Sequence, residues 1–491
     1  MFSILALESC ASKSQMQSAN TIAGEKMNVM HNSLIVLSIL LISSSVSHAN
    51  DVVQNKDGTI TLWDGRRIPA QPQIPNLREQ HELRVEWLRE KHRQLLPMMR
   101  KHGIGMWIIP EGTFDPDPLT RYVAPARSFS HGVTHIFVDA GDDGLKAFSN
   151  YRYPNETYVE FFEIIPEEYN EKLAEIYETY QPRTIGLAFD GGRGHNSSLT
   201  YDAFHYISSA LGSKAREHFV PARDLIEDFV DTRLAEEWAY YKDMVVATDR
   251  LAQRALSNEV ITPGETTTAD LKWWFDQEMA SWGVGAKPWF TTNTNIQRFN
   301  PDSRRIERVA GASGFDSPDD RPYQRGDLIT IDCGVSYLGF KTDIQRVAYI
   351  LLENEVGVPA GLKRALDNRN TVVKAYRAAR PGHTGRQAAE AIEGELADVS
   401  FQYSLGSHSI GYHGHALGPG IRSTSSEFNP QRENKSELRR HSYMAVEGET
   451  QTIVVEWNNQ EVTISYEEQG YLTDAGYKFF TPLQNNWFLI R

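Results

Sequence analysis

Leu328-Ile-Thr-Ile-Asp-Cys-Gly334 and Lys341-Thr-Asp-Ile-Gln-Arg-Val347 decide how this chain folds. Both are rich in Ile, Val and Thr, which fit a pleated, half-buried surface, and Val335-Ser-Tyr-Leu-Gly-Phe340 between them carries a hairpin signal. Each segment holds one aspartate, Asp332 and Asp343. Folding the hairpin about Tyr337 and Leu338 sets them directly opposite each other on one face, with Cβ atoms roughly 5 Å apart. Two like charges at that distance repel by about 3 kcal/mol at an effective dielectric of about 20. A cation between them is therefore expected. Taken alone, the pair also fits a turn aspartate beside a solvated edge charge, and residues farther along decide against that.

His415 lies in Gly411-Tyr-His-Gly-His-Ala-Leu-Gly-Pro-Gly420, Glu447 in Tyr443-Met-Ala-Val-Glu-Gly448 and Glu467 in Val462-Thr-Ile-Ser-Tyr-Glu-Glu-Gln469, the glutamates on two further predicted strands. Four carboxylates and one imidazole form a hard, oxygen-rich donor set that suits Mn²⁺, accommodates Zn²⁺, Co²⁺ or Fe²⁺, and argues against a thiolate-type site. Four negative charges balance two divalent ions, and ions about 3.5 to 4 Å apart are the arrangement of two-metal hydrolases.

In this order, Asp, Asp, His, Glu, Glu, the chain resembles the pita-bread metallopeptidase superfamily of aminopeptidase P, prolidase, methionine aminopeptidase and creatinase. The resemblance covers residues 229–491 and, more loosely, the segment before them. It implies an α+β catalytic domain, a curved antiparallel sheet covered by helices with an internal pseudo-twofold. Ahead of it the resemblance implies a creatinase-like α/β domain over 50–228 that helps build a homodimer and the pocket rim. It further implies that Asp332 chelates one ion, that Asp343 and Glu467 bridge both, and that His415 and Glu447 complete the other shell, with Glu447 as proton shuttle. The implied reaction is hydrolysis of an N-terminal or dipeptide amide bond in a peptide or other small amide, Xaa-Pro bonds among them.

Departures from the family pattern leave the chemistry open. The superfamily's substrate-binding histidine upstream of the first aspartate has no counterpart, since no histidine occurs between His218 and His383. Arg422 stands seven residues after His415, where relatives carry another histidine, and Ser465 stands where aminopeptidase P-like members carry an arginine. One reading gives proton handling to the nearby His408 and His413, whose side-chain type titrates near neutrality; each also fits a histidine that only hydrogen-bonds a ligand. In another, the protein binds metal with little or no peptidase activity, or hydrolyses a different C–N bond, as creatinase does. Trp289 and Arg298 are candidate substrate contacts, Arg298 replacing the missing histidine, and Glu468 is a candidate partner for a substrate amino terminus. Trp273-Trp-Phe275 reads as core.

Length and composition set the frame. At 491 residues two domains are the default. A formal charge of −14 disfavours nucleic acid or anionic membrane as the main partner. Leu34 to Ile42 is an apolar run too short to span a bilayer, followed by Ser47-His-Ala49. Residues 1–49 therefore read as an upstream extension and a secretory signal peptide cut after Ala49, which predicts a periplasmic or secreted protein without stable membrane insertion. Cys10 and Cys333 are the only cysteines, so the mature chain has one thiol and no disulfide framework.

Helical and strand patterns alternate from 75 to 228. Leu77 to Arg100 is a helix interrupted at Pro97, with strands at Gly105–Ile109, Thr134–Val138 and Thr184–Phe189. No nucleotide-binding glycine loop occurs there. A long helix is expected from Thr232 to Leu256, capped by Asp231. Pro263-Gly264 and Pro381-Gly382 then each separate two helices, with a threonine positioned to cap the second. The charged stretch Asn429 to Arg440 reads as an exposed loop.

Overall fold

The structure is a computed structural model, and it describes residues 53–55, 59–61, 67–68 and 74–491, except 111, 113–116, 126–131, 166–168, 192–194, 284, 310–315, 413–414, 416 and 425–435. The expected leader over 1–49 and the candidate His413 lie outside the described residues.

Asn76 starts α1 (Leu77–Lys101) with a capping box, its side chain accepting from the Arg78 and Glu79 amides while Glu79 reaches back. The expected break at Pro97 does not occur: the helix runs through it. An interior proline costs ~3 kcal/mol, whereas each fully buried Leu or Met gains about 1.5–3 kcal/mol. Leu88, Leu95 and Met99 are all buried, so packing outweighs the lost hydrogen bond.

The helix lies beside a six-stranded mixed sheet. Its strands are β1 (Met106–Pro110), β2 (Thr134–Asp139), β3 (Leu145–Ser149), β4 (Glu163–Ile164), β5 (Ile185–Leu187) and β6 (Phe219–Pro221), in the order β4-β3-β2-β1-β5-β6. Also in this part are α2 (Thr120–Val123), a short helix at Glu156–Phe161, α3 (Tyr169–Tyr180), α4 (Tyr201–Ala215) and α5 (Arg223–Asp231). The β1 and β2 strands are almost wholly buried, and their alternate residues feed two cores. This is the α/β architecture expected.

The long helix expected from Thr232 is instead α6 (Trp238–Ala255), entered through a turn in which the Leu234 amide donates to Glu237 at 3.0 Å. Asp231 ends α5 rather than capping α6, because its carboxylate accepts from Arg439 at 2.6 Å. Glu227 and Asp228 meet the same guanidinium. Arg439, at the end of the stretch read as an exposed loop, is thereby anchored, and Leu438 beside it is buried.

Next come α7 (Thr268–Ala280), β7 (Asn293–Asn300), β8 (Arg305–Val309), β9 (Asp327–Cys333), β10 (Val335–Tyr337), β11 (Phe340–Lys341) and β12 (Ile344–Ile350). They are followed by α8 (Ala360–Ala375), α9 (Gly385–Glu395), β13 (Gly406–Ile410), β14 (Tyr443–Val454), β15 (Gln460–Thr473), β16 (Gly476–Phe479) and β17 (Phe488–Ile490). The order β8-β7-β9-β12-β15-β14-β13 forms the spine of a nine-stranded sheet, with β16 on β15 and β17 parallel to β12. The helix, Pro-Gly, threonine, helix unit occurs twice as expected: Thr267 caps α7 and Thr384 caps α9, each with a capping box.

Both helix pairs pack on one face of this sheet. Leu251, Leu271 and Phe275 cover Ile329, Ile331 and Ile344, while Val373, Ala388 and Ile392 cover Met444, Val446 and Tyr466. Because side chains alternate along a strand, Asp332, Gln345, Glu447 and Glu467 are turned to the other face.

Candidate metal centre

The aspartate hairpin turns one residue later than expected. Tyr337 pairs with Phe340, so Leu338 and Gly339 form the turn, both at positive φ (52° and 86°), as a two-residue hairpin of this hand requires. Asp332 consequently faces Gln345, not Asp343. The register differs from the expected one by two residues, which preserves the face of each side chain. Asp332 and Asp343 still meet, because Asp343 lies in the short connection between β11 and β12.

The carboxylates that do oppose each other directly are Glu447 on β14 and Glu467 on β15, and Gln345 on β12 opposes Glu467 from the other side. Gln345 donates to Glu467 at 3.2 Å. Ligand atoms converge within 4.8 Å of one another in three overlapping groups: Asp332, Asp343 and Glu467; His408, Glu447 and Glu467; and Asp343, His408 and His415.

The two histidines differ in setting. His408 sits on β13 opposite Ala445, its side chain 10% exposed, with Nε2 3.4 Å from Glu467 Oε1 and 3.7 Å from Asp343 Oδ2. His415 lies in a turn at positive φ, its side chain 65% exposed, with Nε2 3.9 Å from Asp343 Oδ2. The rings are 4.4 Å apart. His408 is the imidazole set deeper among the acids, while His415, to which the sequence pointed, joins the group through Asp343.

This set fits divalent cations. Asp332 Oδ1 and Glu467 Oε1 are buried and accept no hydrogen bond, which is costly unless a cation satisfies them. Burial, and then the neighbouring carboxylates, pushes Asp332, Asp343 and Glu467 well above the usual carboxylate range. Such mutual repulsion is what a metal relieves.

Other candidates separate clearly. Trp289 is at the site: its Nε1 donates to the Thr342 carbonyl at 2.6 Å and its ring lies 5.9 Å from that of His415. Arg298 is not. It sits five residues up β7 from Asn293, the residue opposite Asp332, and grips Asp327 with two hydrogen bonds of 2.7 and 2.9 Å. Five strand residues are roughly 17 Å, so its charge neutralises a buried aspartate rather than meeting a substrate. Glu468 is likewise unavailable to an amino terminus, because it points to the helix face and is held by Arg346 at 3.1 Å and Arg369 at 2.8 Å. Arg422 is exposed and bridges Gly406 through its backbone. Trp273, expected in the core with its neighbours, is 66% exposed, while Phe275 is fully buried.

Sequence reading missed Gln345, which touches Glu467 across the sheet. It also missed the role of His408, although alternation through Ser407-His-Ser-Ile410 before Gly411 marks a strand carrying that histidine inward.

The model of metallopeptidase family M24 matches residues 240–474. Among solved structures, an X-Pro aminopeptidase from Thermotoga maritima MSB8 superposes with a TM-score of 0.58 at 20% identity, covering 80% of this chain and 99% of that one. An Xaa-Pro dipeptidase from Bacillus anthracis gives 0.55 at 17% identity, with 82% and 100% covered. The prolidase from Pyrococcus horikoshii OT3 gives 0.52 at 21% identity, with 80% and 99% covered. These likenesses show the fold. No match to a curated protein was found.

Proposed function

We propose that this chain, whose residues 240–474 match the model of metallopeptidase family M24, is a metallopeptidase of that family that holds two divalent ions and cleaves an amino-terminal or dipeptide bond, Xaa-Pro being the first candidate. The observation that carries the dinuclear reading is the pair of overlapping ligand groups, Asp332–Asp343–Glu467 and His408–Glu447–Glu467, which share one glutamate. In this reading Asp332, Asp343 and Glu467 hold one ion, and His408, Glu447 and Glu467 hold the other. Mn²⁺ is the preferred ion for so oxygen-rich a set.

Bound divalent ions would polarise the scissile carbonyl and acidify water at neutral pH. The remaining work falls to the chain. Glu447, half-buried at the edge of the cage, takes the proton from the attacking water and delivers it to the departing amine nitrogen. With His408 as the ligand, His415 falls seven residues after it, the place where relatives carry a further histidine. This removes one departure from the family pattern. Exposed at the rim, His415 donates to the substrate, and Trp289 forms the wall beside it. The upstream histidine and the arginine replaced by Ser465 still have no direct counterparts.

Metal analysis of the Mn²⁺-loaded protein, with a panel of Xaa-Pro and other peptides read by mass spectrometry, tests this. Two ions per chain and cleavage lost in Asp343→Asn support it; bound metal with no peptide cleaved favours a binding role instead. Glu447→Gln with unchanged metal content and turnover would remove Glu447 from the reaction. The proposal extends to a separate domain over 50–228, a homodimer, and export to the periplasm or beyond after cleavage at Ala49. The amino-terminal sequence of the mature protein checks the last point.

A further inference from the structure

Thr342, the residue before Asp343, has two of its polar groups satisfied by neighbouring elements of the sheet and helices. Its amide donates to the Val335 carbonyl at 2.9 Å, and its Oγ1 accepts from the Val335 amide and meets Thr248 Oγ1, each at 2.9 Å. Its carbonyl depends on a different partner: among the described residues its donor is the Trp289 indole N–H, at 2.6 Å. Thr342 is fully buried, so without that N–H the carbonyl would be left an unpaired acceptor inside the protein. That carbonyl and the Asp343 amide belong to one rigid peptide plane. A bond that fixes the direction of the carbonyl therefore fixes how Asp343 leaves the backbone. Asp343 is itself buried and belongs to two of the three converging ligand groups.

The hairpin makes room for this indole. Lys287 and Pro288, just before Trp289, pair with Ser336 and Val335 on β10, which brings Trp289 against Gly334. Any Cβ at Gly334 would collide with Trp289 Nε1, with the Thr342 oxygen and with the Phe290 ring. Phe290 in turn meets the indole edge-on, with centroids 4.5 Å apart. The same indole lies 5.9 Å from the His415 ring, inclined at 65°. A substrate wall needs only apolar area; an N–H aimed at the peptide that presents a ligand does something more.

We propose that Trp289 is a positioning residue for the metal cage. Through its N–H it fixes the peptide that presents Asp343, and with its ring it flanks His415, so one side chain sets ligand geometry and substrate wall together. This rests on the reading of Asp343 as a metal ligand, and not on peptide cleavage.

Trp289→Phe keeps an aromatic ring and removes the N–H. Calorimetric Mn²⁺ affinity, measured on protein whose circular dichroism is unchanged, should fall about tenfold, the lower end of what losing a ligand-orienting partner costs. KM for any peptide cleaved at saturating Mn²⁺ should stay as it is. Trp289→Leu, lacking N–H and ring alike, should show the same loss of affinity together with a raised KM. Asp343→Asn supplies the discriminating background: because the N–H acts through Asp343, adding Trp289→Phe there should cost no further Mn²⁺ affinity, whereas a merely structural indole would give losses that add. Additive losses, or full Mn²⁺ affinity in either folded Trp289 variant while Asp343→Asn loses it, overturn the positioning role alone. Full Mn²⁺ affinity in Asp343→Asn overturns the ligand reading and this role with it.

Discussion

Glu467 and Glu468 are neighbours on one strand and belong to opposite electrostatic regimes. Glu468 faces the helices, where Arg346 and Arg369 neutralise it and Asp249 balances Arg346 at 2.5 Å, all four side chains buried. Glu467 faces the other way into three more carboxylates and one imidazole. The first is a closed lattice in which each charge has its counter-charge within the fold. The second is left open. Burial is nearly the same, so burial alone does not mark a functional site; an uncompensated charge of one sign does.

The comparison can be broken from the lattice side. Arg346→Met leaves buried Asp249 without its arginine and Glu468 with Arg369 alone, and removing one partner of a buried pair costs about 3–5 kcal/mol. Urea unfolding of the metal-free protein should show a loss of that size at unchanged slope. Breaking the cage should look different, since His408→Ala removes the imidazole held among the acids. We expect at least about a hundredfold loss of Mn²⁺ affinity, ~3 kcal/mol, with little change in metal-free stability. His415→Ala should raise KM and leave metal affinity within about tenfold.

Acidity sharpens the contrast further. Asp332, Asp343 and Glu467 titrate well above their unfolded values. Their stabilising contribution is therefore complete below the unfolded carboxylate range near pH 4 and is lost as pH rises through the raised values. Metal-free protein should lose stability on going from pH 5 to pH 8, by about 1.4 kcal/mol per unit of net shift, and added Mn²⁺ should restore it most at the higher pH. A flat profile would mean that the cage is not strained without metal. The smallest effect belongs to a site in neither regime: Trp273→Ser, on an exposed ring, should change stability by no more than about 0.5 kcal/mol.

The acids of the cage were legible in the sequence because a period of two is robust: the hairpin register was off by two residues, and every carboxylate kept its face. The imidazole was less so. His408 and His415 both precede small or apolar residues near a glycine, and only the short strand Gly406–Ile410, buried against β14, distinguishes them. Arg298 and Glu468 were misread for a different reason, since their partners, Asp327 and the two arginines, come from strand pairing and a helix that local pattern does not reveal. Pro97 shows the same limit in a helix, where tertiary packing overrode a local breaker.

The duplicated helix unit has a consequence for how the protein can fail. The first copy supplies the sheet half with Asp332 and Asp343, and the second supplies His408, Glu447 and Glu467. Neither portion alone gathers a full coordination set, so cation retention reports the integrity of the seam between them. Lesions far from the cage that loosen either portion should therefore surface as demetallation before gross unfolding.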